Sequence, residues 1–289
     1  MLRQVVRKPA FAGIDYPSEP EALRRLLPRI RAPRGRPLTG LVAPHIDLAR
    51  GARGYAKAYR ELFKRAPADL YVILGVAHST PPTPFVLTTK DYATPLGTLA
   101  TDRGLVRSLR EDGPFDPLQD EREHGTEHSI EYQTVFLSLL KTPRLLPVLC
   151  SSCDLEGARP GIRSMAMLRL MARDLRAYPG RVCLIAGVDL AHVGPCFGDA
   201  EALTPGRLAR VRAQDLACLR HALRRDADGF LRSIMADDNK RSVCGVFALY
   251  AFLWLHKRLF PRSGGRLLHY GRASDPAGGE VTFASLAFS

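Results

Sequence analysis

At 289 residues the chain is long enough to bury a large core, and 46% hydrophobic with 25% charged residues is the balance of a soluble globular protein. A membrane span needs about 20 consecutive apolar residues, and the longest apolar runs, such as Val246 to Leu255, reach about half that, so an integral membrane protein is excluded. The formal charge of +13 invites acidic partners, but the arginines run from Arg3 to Arg272 without interleaved aromatics that could stack on bases; a solvated basic surface is expected rather than a nucleic-acid interface.

The opening MLRQVVRKPAFAG is basic but has no apolar core ahead of a small-residue cleavage site, which points to a cytoplasmic protein. Six cysteines in a chain of this length do not make a disulfide framework. Cys150 and Cys153 form a CSSC tetrad, read as core or loop thiols because no second pair and no thioredoxin-like context accompanies it.

The chain reads as a single domain over 1–289, with 1–37 as an N-terminal arm packed on it. Within the arm, Ser18 is expected to cap a helix over EALRRLLPRI, with Glu21 at the capping-box position. LTGLVAPH reads as a strand delivering His45 into a loop, and GARGYAKAYRELFKRA follows with helical spacing. DLYVILGVAHS repeats that design, with a continuous apolar run from Leu70 to Val76 that predicts a strand buried on both faces and ending at His78. PFVLTTKDYATPLGTLATD carries strand and turn signals, and a helix over about 102–111 follows. EHSIEYQTVFLSLLK predicts a strongly amphipathic helix. After it come the strand RLLPVLC, a helix near 163–177, the strand RVCLIAGVDLAH ending at His192, and helices near 206–224 and 226–235. The apolar helix GVFALYAFLWLH and the strands RLLHYGRAS and EVTFASLAFS complete the chain.

Strands alternating with helices predict a three-layer α/β/α sandwich around a central sheet, a fold whose sites collect beyond the carboxyl ends of strands. His45, His78 and His192 each follow a predicted strand, so they can meet in space despite their separation in sequence, and imidazole is a common ligand for zinc, copper and iron. Asp47 and Asp189 stand two and three residues from two of these histidines; each either orients an imidazole or serves turn and cap chemistry. Glu127, His128 and Glu131 open an apolar helix, where they form either a pocket wall or a helix-end hydrogen-bond network. Cys244 stands at the start of GVFALYAFLWL, where it is either a buried helix-start thiol or a thiolate stabilised by the helix dipole.

The ordered segments RKPAFAGIDYP, APHIDLARG, ILGVAHS, ATPLGTLATD, EHSIEYQTVFL, GVDLAHVG and CGVFALYAFL resemble the Memo family, whose prokaryotic members are called AmmeMemoRadiSam system protein B. The resemblance spans essentially the whole chain. It implies a class III extradiol-dioxygenase-like α/β/α sandwich with a mixed central sheet. Those dioxygenases bind Fe(II) with two histidines and a glutamate, and a further histidine handles protons. The family resemblance assigns His45, His78 and Cys244 as metal ligands, with the cysteine in place of the glutamate, and His192 as the proton-handling residue, with Asp189 beside it. A thiolate is softer than a carboxylate, so copper and zinc join iron as candidate metals. The implied activity is metal-dependent redox chemistry on a small-molecule or peptide substrate, beside radical-SAM and AMMECR-type proteins. The competing readings are a non-catalytic adaptor that retains a metal, peptide or metabolite pocket, and a zinc hydrolase.

Overall fold

In the computed structural model, residues 6–30 and 32–289 are described. The apolar runs become a parallel sheet core: β2 (Gly40–Ala43), β3 (Leu70–Val76), β7 (Arg144–Cys150) and β10 (Val182–Gly187) stand in the order β7-β3-β10-β2, all parallel. β1 (Val6–Arg7), β5 (Asp91–Thr94) and β6 (Gly97–Thr101) extend it on the β7 side, where β4 (Phe85–Leu87) also pairs with β7. β11 (His192–Val193), β12 (Gly265–Asp275) and β13 (Gly279–Phe288) extend it antiparallel beyond β2, so the sheet is mixed and has eleven strands. A separate two-stranded ribbon joins β8 (Leu155–Glu156) to β9 (Arg159–Pro160).

Alternation along each strand divides the core in two. Leu70, Val72, Leu74 and Val76 of β3 join Leu184 and Ala186 of β10 in one cluster, while Tyr71 and Ile73 join Cys183 and Ile185 in the other. Strands that must be apolar on both faces read as continuous hydrophobic runs, which is the pattern of Leu70 to Val76. The first cluster is covered by α5 (Ile162–Ala177), α6 (Pro205–Leu223), α7 (Ala227–Met235) and α8 (Val246–Leu259), with α3 (Arg103–Glu111) at its margin. The second is covered by α1 (Pro20–Leu26), α2 (Ala52–Phe63) and α4 (His128–Leu137). Helices on both faces of a mixed sheet make the three-layer α/β/α sandwich. No helix among the described residues is long and apolar enough to cross a membrane.

Three local expectations are corrected. The first helix begins at Pro20 with Glu19 as N-cap and no side-chain cap bond, so Ser18 and Glu21 form no capping box; proline at the first helical position sets the start. α4 is not amphipathic, because every residue from Ser129 to Leu137 is buried. Its outer face is covered by the arm, through Arg7 and Tyr16 on Glu131 and Asp15 on the Tyr132 hydroxyl. The third concerns RVCLIAGVDLAH, which is not one strand. β10 stops at Gly187, and the chain crosses to pair His192 with Val281 on β13.

Two histidines are locked into this core as neutral rings. The His124 ring lies between the Val86 carbonyl at 3.0 Å and the Tyr92 hydroxyl at 2.7 Å, and burial pulls its pKa down to about 4. His256 is fully buried beside Thr39, and burial together with the Arg225 charge pulls it down to about 3. Both values lie below the roughly 6.5 of a free imidazole, so the stability they contribute is complete above about pH 6.5 and is lost as the pH falls toward 4. Calorimetry is expected to show a melting point several degrees lower at pH 5 than at pH 7. His256→Leu should make that slope shallower, and a flat profile in the parent protein would refute the account.

Candidate metal centre

The parallel strands set the site at their common carboxyl edge. His45 lies two residues beyond β2, His78 two beyond β3 and Asp189 two beyond β10, and these three strands are adjacent. The equivalent position on β10 thus belongs to Asp189. His192 comes three residues later, on the short edge strand. Asp189 closes the His45 turn by accepting from the His45 backbone N–H at 3.1 Å.

Two helix starts complete the site. α4 is drawn onto the strand ends by the Ser129 hydroxyl, which bonds the Val76 N–H and C=O at 2.9 and 3.1 Å. That approach requires glycine at 75 and 187: a Cβ on Gly75 would lie 2.6 Å from Ile130 and Ser129, and one on Gly187 2.3 Å from the Ser129 carbonyl. Glu127, the N-cap of α4, and His128, its first residue, are thereby carried to the site. At the other helix start, Cys244 stands just before Gly245, the N-cap of α8.

His45 Nε2 lies 3.3 Å from Cys244 Sγ, and the donor atoms of His45, His78 and Cys244 all lie within 4.8 Å of one another. The tautomers are set from behind. His45 Nδ1 is 2.9 Å from the Gly187 carbonyl and donates to it, which leaves Nε2 as the free lone pair toward the thiol. His78 Nδ1 donates to Glu127 Oε2 at 2.9 Å, again leaving Nε2 free. Tetrahedral zinc with about 2.0 Å to nitrogen and 2.3 Å to sulfur would hold those two ligand atoms about 3.5 Å apart. The donor set therefore fits a transition-metal ion, and each histidine already has the hydrogen-bonded outer partner that such ligands take.

The rings of His45, His78 and His128 pack together, His78 stacked on His128 at 4.9 Å and both edge-on to His45 at 5.0 and 5.2 Å. Burial, with His78 and His128 as like-charged neighbours, holds His45 well below the usual imidazole range. Burial likewise raises the Asp189 carboxyl to about 7 and pushes the Cys244 thiol up, with Asp189 adding to the second shift. Glu127 moves the opposite way. Burial alone would raise it, but His78, His128 and the Ser129 N–H hold it well below the usual carboxylate range. A thiol that resists ionisation beside two free imidazole lone pairs is a place where a cation, not solvent, would stabilise the thiolate.

The remaining candidates fall into two groups. Glu127 and His128 belong to the site, and Glu127 unites the two roles that its sequence context left open, since it caps α4 through the Ser129 N–H at 2.9 Å and orients His78. His128 lies 3.3 Å from Glu127, and together with His78 they form a second donor cluster. Glu131 and Asp47 lie elsewhere. Glu131 is fully buried against the arm, where it accepts from the Ala10 and Phe11 N–H groups at 3.0 Å each, while Asp47 accepts from the Arg50 N–H at 2.9 Å and pairs with its guanidinium, the turn chemistry of its alternative reading. His192 packs edge-on against Phe197, and its Nδ1 lies 3.1 Å from the Leu190 carbonyl, so that carbonyl, not Asp189, orients the ring. Cys150 is buried in β7, Cys153 is exposed, and both are free thiols, as the core-or-loop reading expects.

Fold and site together define an α/β/α protein with a His/His/Cys cluster at the carboxyl edge of a parallel sheet core. A family model described as Memo-like protein matches residues 7–287, and the chain belongs to that family. It is 29% identical to a MEMO1 family protein of Aquifex aeolicus over 292 residues, covering 100% of this chain and 74% of that one. It is 27% identical over 283 residues to the MEMO1 family protein Ta0237 of Thermoplasma acidophilum, covering 96% and 93% of the two chains. With the MEMO1 family protein Mbar_A1422 of Methanosarcina barkeri the identity is 29% over 278 residues, covering 94% and 95%.

Proposed function

We propose that this Memo-family protein is a metal-dependent redox enzyme in which His45, His78 and Cys244 hold iron or copper. The observation that carries the reading is the 3.3 Å approach of His45 Nε2 to Cys244 Sγ, with Nδ1 of both histidines already engaged from behind. An iron or copper ion bound there would supply electron transfer and polarise a bound substrate. The thiolate, softer than the carboxylate of the usual non-haem iron triad, favours Cu(I) and is compatible with iron and zinc as well.

His192 serves in this scheme as the proton-handling residue. Burial lowers its pKa, so the ring is neutral at pH 7 and ready to accept a proton. Its ring is held by backbone hydrogen bonds to Leu190, through Nδ1, and to Ser242. Asp189 acts on His45 by fixing the backbone turn that presents it. The family setting nominates radical-SAM and AMMECR-type proteins as partners and a small molecule or peptide as substrate.

The test is oxygen uptake, with ascorbate as reductant, by protein stripped with chelator and reloaded anaerobically with Fe(II) or Cu(I). His192→Gln is expected to retain its metal and to lose at least about 100-fold in turnover, the lower end of what general acid–base catalysis contributes. Unchanged turnover would remove the role of His192. Absence of uptake with either metal in the parent protein would remove the redox reading.

A further inference from the structure

A cavity of about 500 Å³ opens beside the cluster, and His78 and Cys244 form part of its wall. His45 is buried, whereas the His78 side chain is 38% exposed and Cys244 half-buried, and this cavity gives a molecule access to the latter two. Its walls come from the ends of β3 and β7, the turn after β7, the start of α8 and the loop 236–243 between α7 and α8, the last of which the sequence reading passed over.

Backbone strain marks the same place independently. Among the described residues, six non-glycine residues have positive φ, and four of them, Thr80, Asp238, Asn239 and Ser242, line this one cavity. Asparagine and aspartate tolerate that region; threonine and serine do so at a cost of order 1 kcal/mol each and keep it only where the surroundings enforce it. The enforcement is visible at Asn239. Its side chain grips the next loop residue but three, accepting from the Val243 N–H at 2.9 Å and donating to the Val243 carbonyl at 3.2 Å, immediately before Cys244. The loop also accepts the His192 N–H at the Arg241 carbonyl, 2.8 Å away, so one strained segment seats Cys244 and His192 together.

The lining gives the chemistry of the occupant. Met235, Val246 and Phe247 supply an apolar wall, whereas Thr80, Ser152 and Ser242 offer neutral hydrogen-bonding groups. No lysine or arginine lines the cavity, and its one carboxylate, Asp238, is exposed. A site of this kind offers a carboxylate or phosphate no cationic side chain and sets the Asp238 carboxylate against it, and it suits an uncharged, mainly apolar molecule of ring size that bears a hydroxyl or amide. Resting on the redox reading for its chemistry but not for its walls, we infer that this cavity is the substrate chamber of the Cys244 centre and that it selects neutral aromatic-sized molecules over anionic ones.

The probes are benzyl alcohol, benzamide and benzoate, which share one ring, followed by ligand-observed saturation-transfer NMR on the full chain after chelator treatment. Benzyl alcohol and benzamide are expected to bind at least about fivefold tighter than benzoate, roughly what one like charge about 4 Å away contributes when it is fully solvated, as the exposed Asp238 is. Asp238→Asn, which keeps a residue tolerant of its backbone conformation, should cut that preference by half or more. Ser152→Trp, a change at an exposed rim position, should abolish neutral-ring binding. Preference for benzoate in the parent protein, or neutral binding untouched by Ser152→Trp while that variant melts normally, would overturn the inference. Because the measurement is made without metal, a protein that binds these rings but no iron or copper would lose the redox reading and keep the chamber. One that binds metal but no neutral ring would lose the chamber alone.

Discussion

Cys244→Ser is expected to weaken binding of Cu(I) and Zn(II) by more than about 100-fold, read by competition with a chromogenic chelator, while the circular dichroism spectrum stays unchanged. A hydroxyl is a poor ligand where a soft thiolate is lost, and the deficit should be larger for Cu(I) than for zinc. His45→Ala should match it, since His45 Nε2 is the atom nearest the sulfur. Glu127→Gln provides the graded control. It leaves every proposed ligand in place but weakens the acceptor that holds His78 Nδ1–H, and loss of such outer partners costs about 10–100-fold in metal affinity. The order parent, Glu127→Gln, then the ligand variants follows from the geometry; equal affinity in all four proteins would remove the centre.

Glu131→Leu is expected to lower the melting temperature by about 10 °C. Arg7 and Glu131 are 3% and 0% exposed and face each other in an ion pair. Removing the carboxylate leaves a buried guanidinium uncompensated, at about 3–5 kcal/mol, and each kcal/mol moves the midpoint by about 2–4 °C in a protein of 150–250 residues. The Ala10 and Phe11 N–H groups and the Tyr16 hydroxyl lose their acceptor as well. The damage should spread to the His45, His78 and Cys244 cluster, because Arg7 also donates to the carbonyls of His124 at 2.7 Å and Glu127 at 2.9 Å. An Arg7→Met, Glu131→Leu double variant should recover part of the loss, since it removes both charges rather than stranding one. A fall of less than about 3 °C in Glu131→Leu would show that the arm does not depend on this pair.

These two sites differ in how far they could be read in advance. His45 and His78 were legible because a strand buried on both faces must be written as an unbroken apolar run, and the first polar residues past the run mark its end in space as well as in sequence. The same logic misplaced His192. In GVDLAHVG the apolar pattern continues past the turn, so nothing local shows that β10 stops at Gly187 and that Asp189 takes the equivalent position. α4 misled in another way. Its polar residues suggested a solvent face, but Glu131 is polar because it meets an arm more than a hundred residues earlier in the chain.

The sequence by itself thus determined the layered α/β architecture, the family, and two histidines at strand ends, because hydrophobic periodicity and strand termination are local properties. Only the tertiary structure decided that Cys244 stands against His45, that Glu127 caps a helix and orients His78 at once, that Glu131 and Asp47 belong to other networks, and that the strained 236–243 loop walls the cavity. Each of those depends on contacts between segments far apart in the chain, which are set by sheet order and by the close helix approach that Gly75 and Gly187 permit.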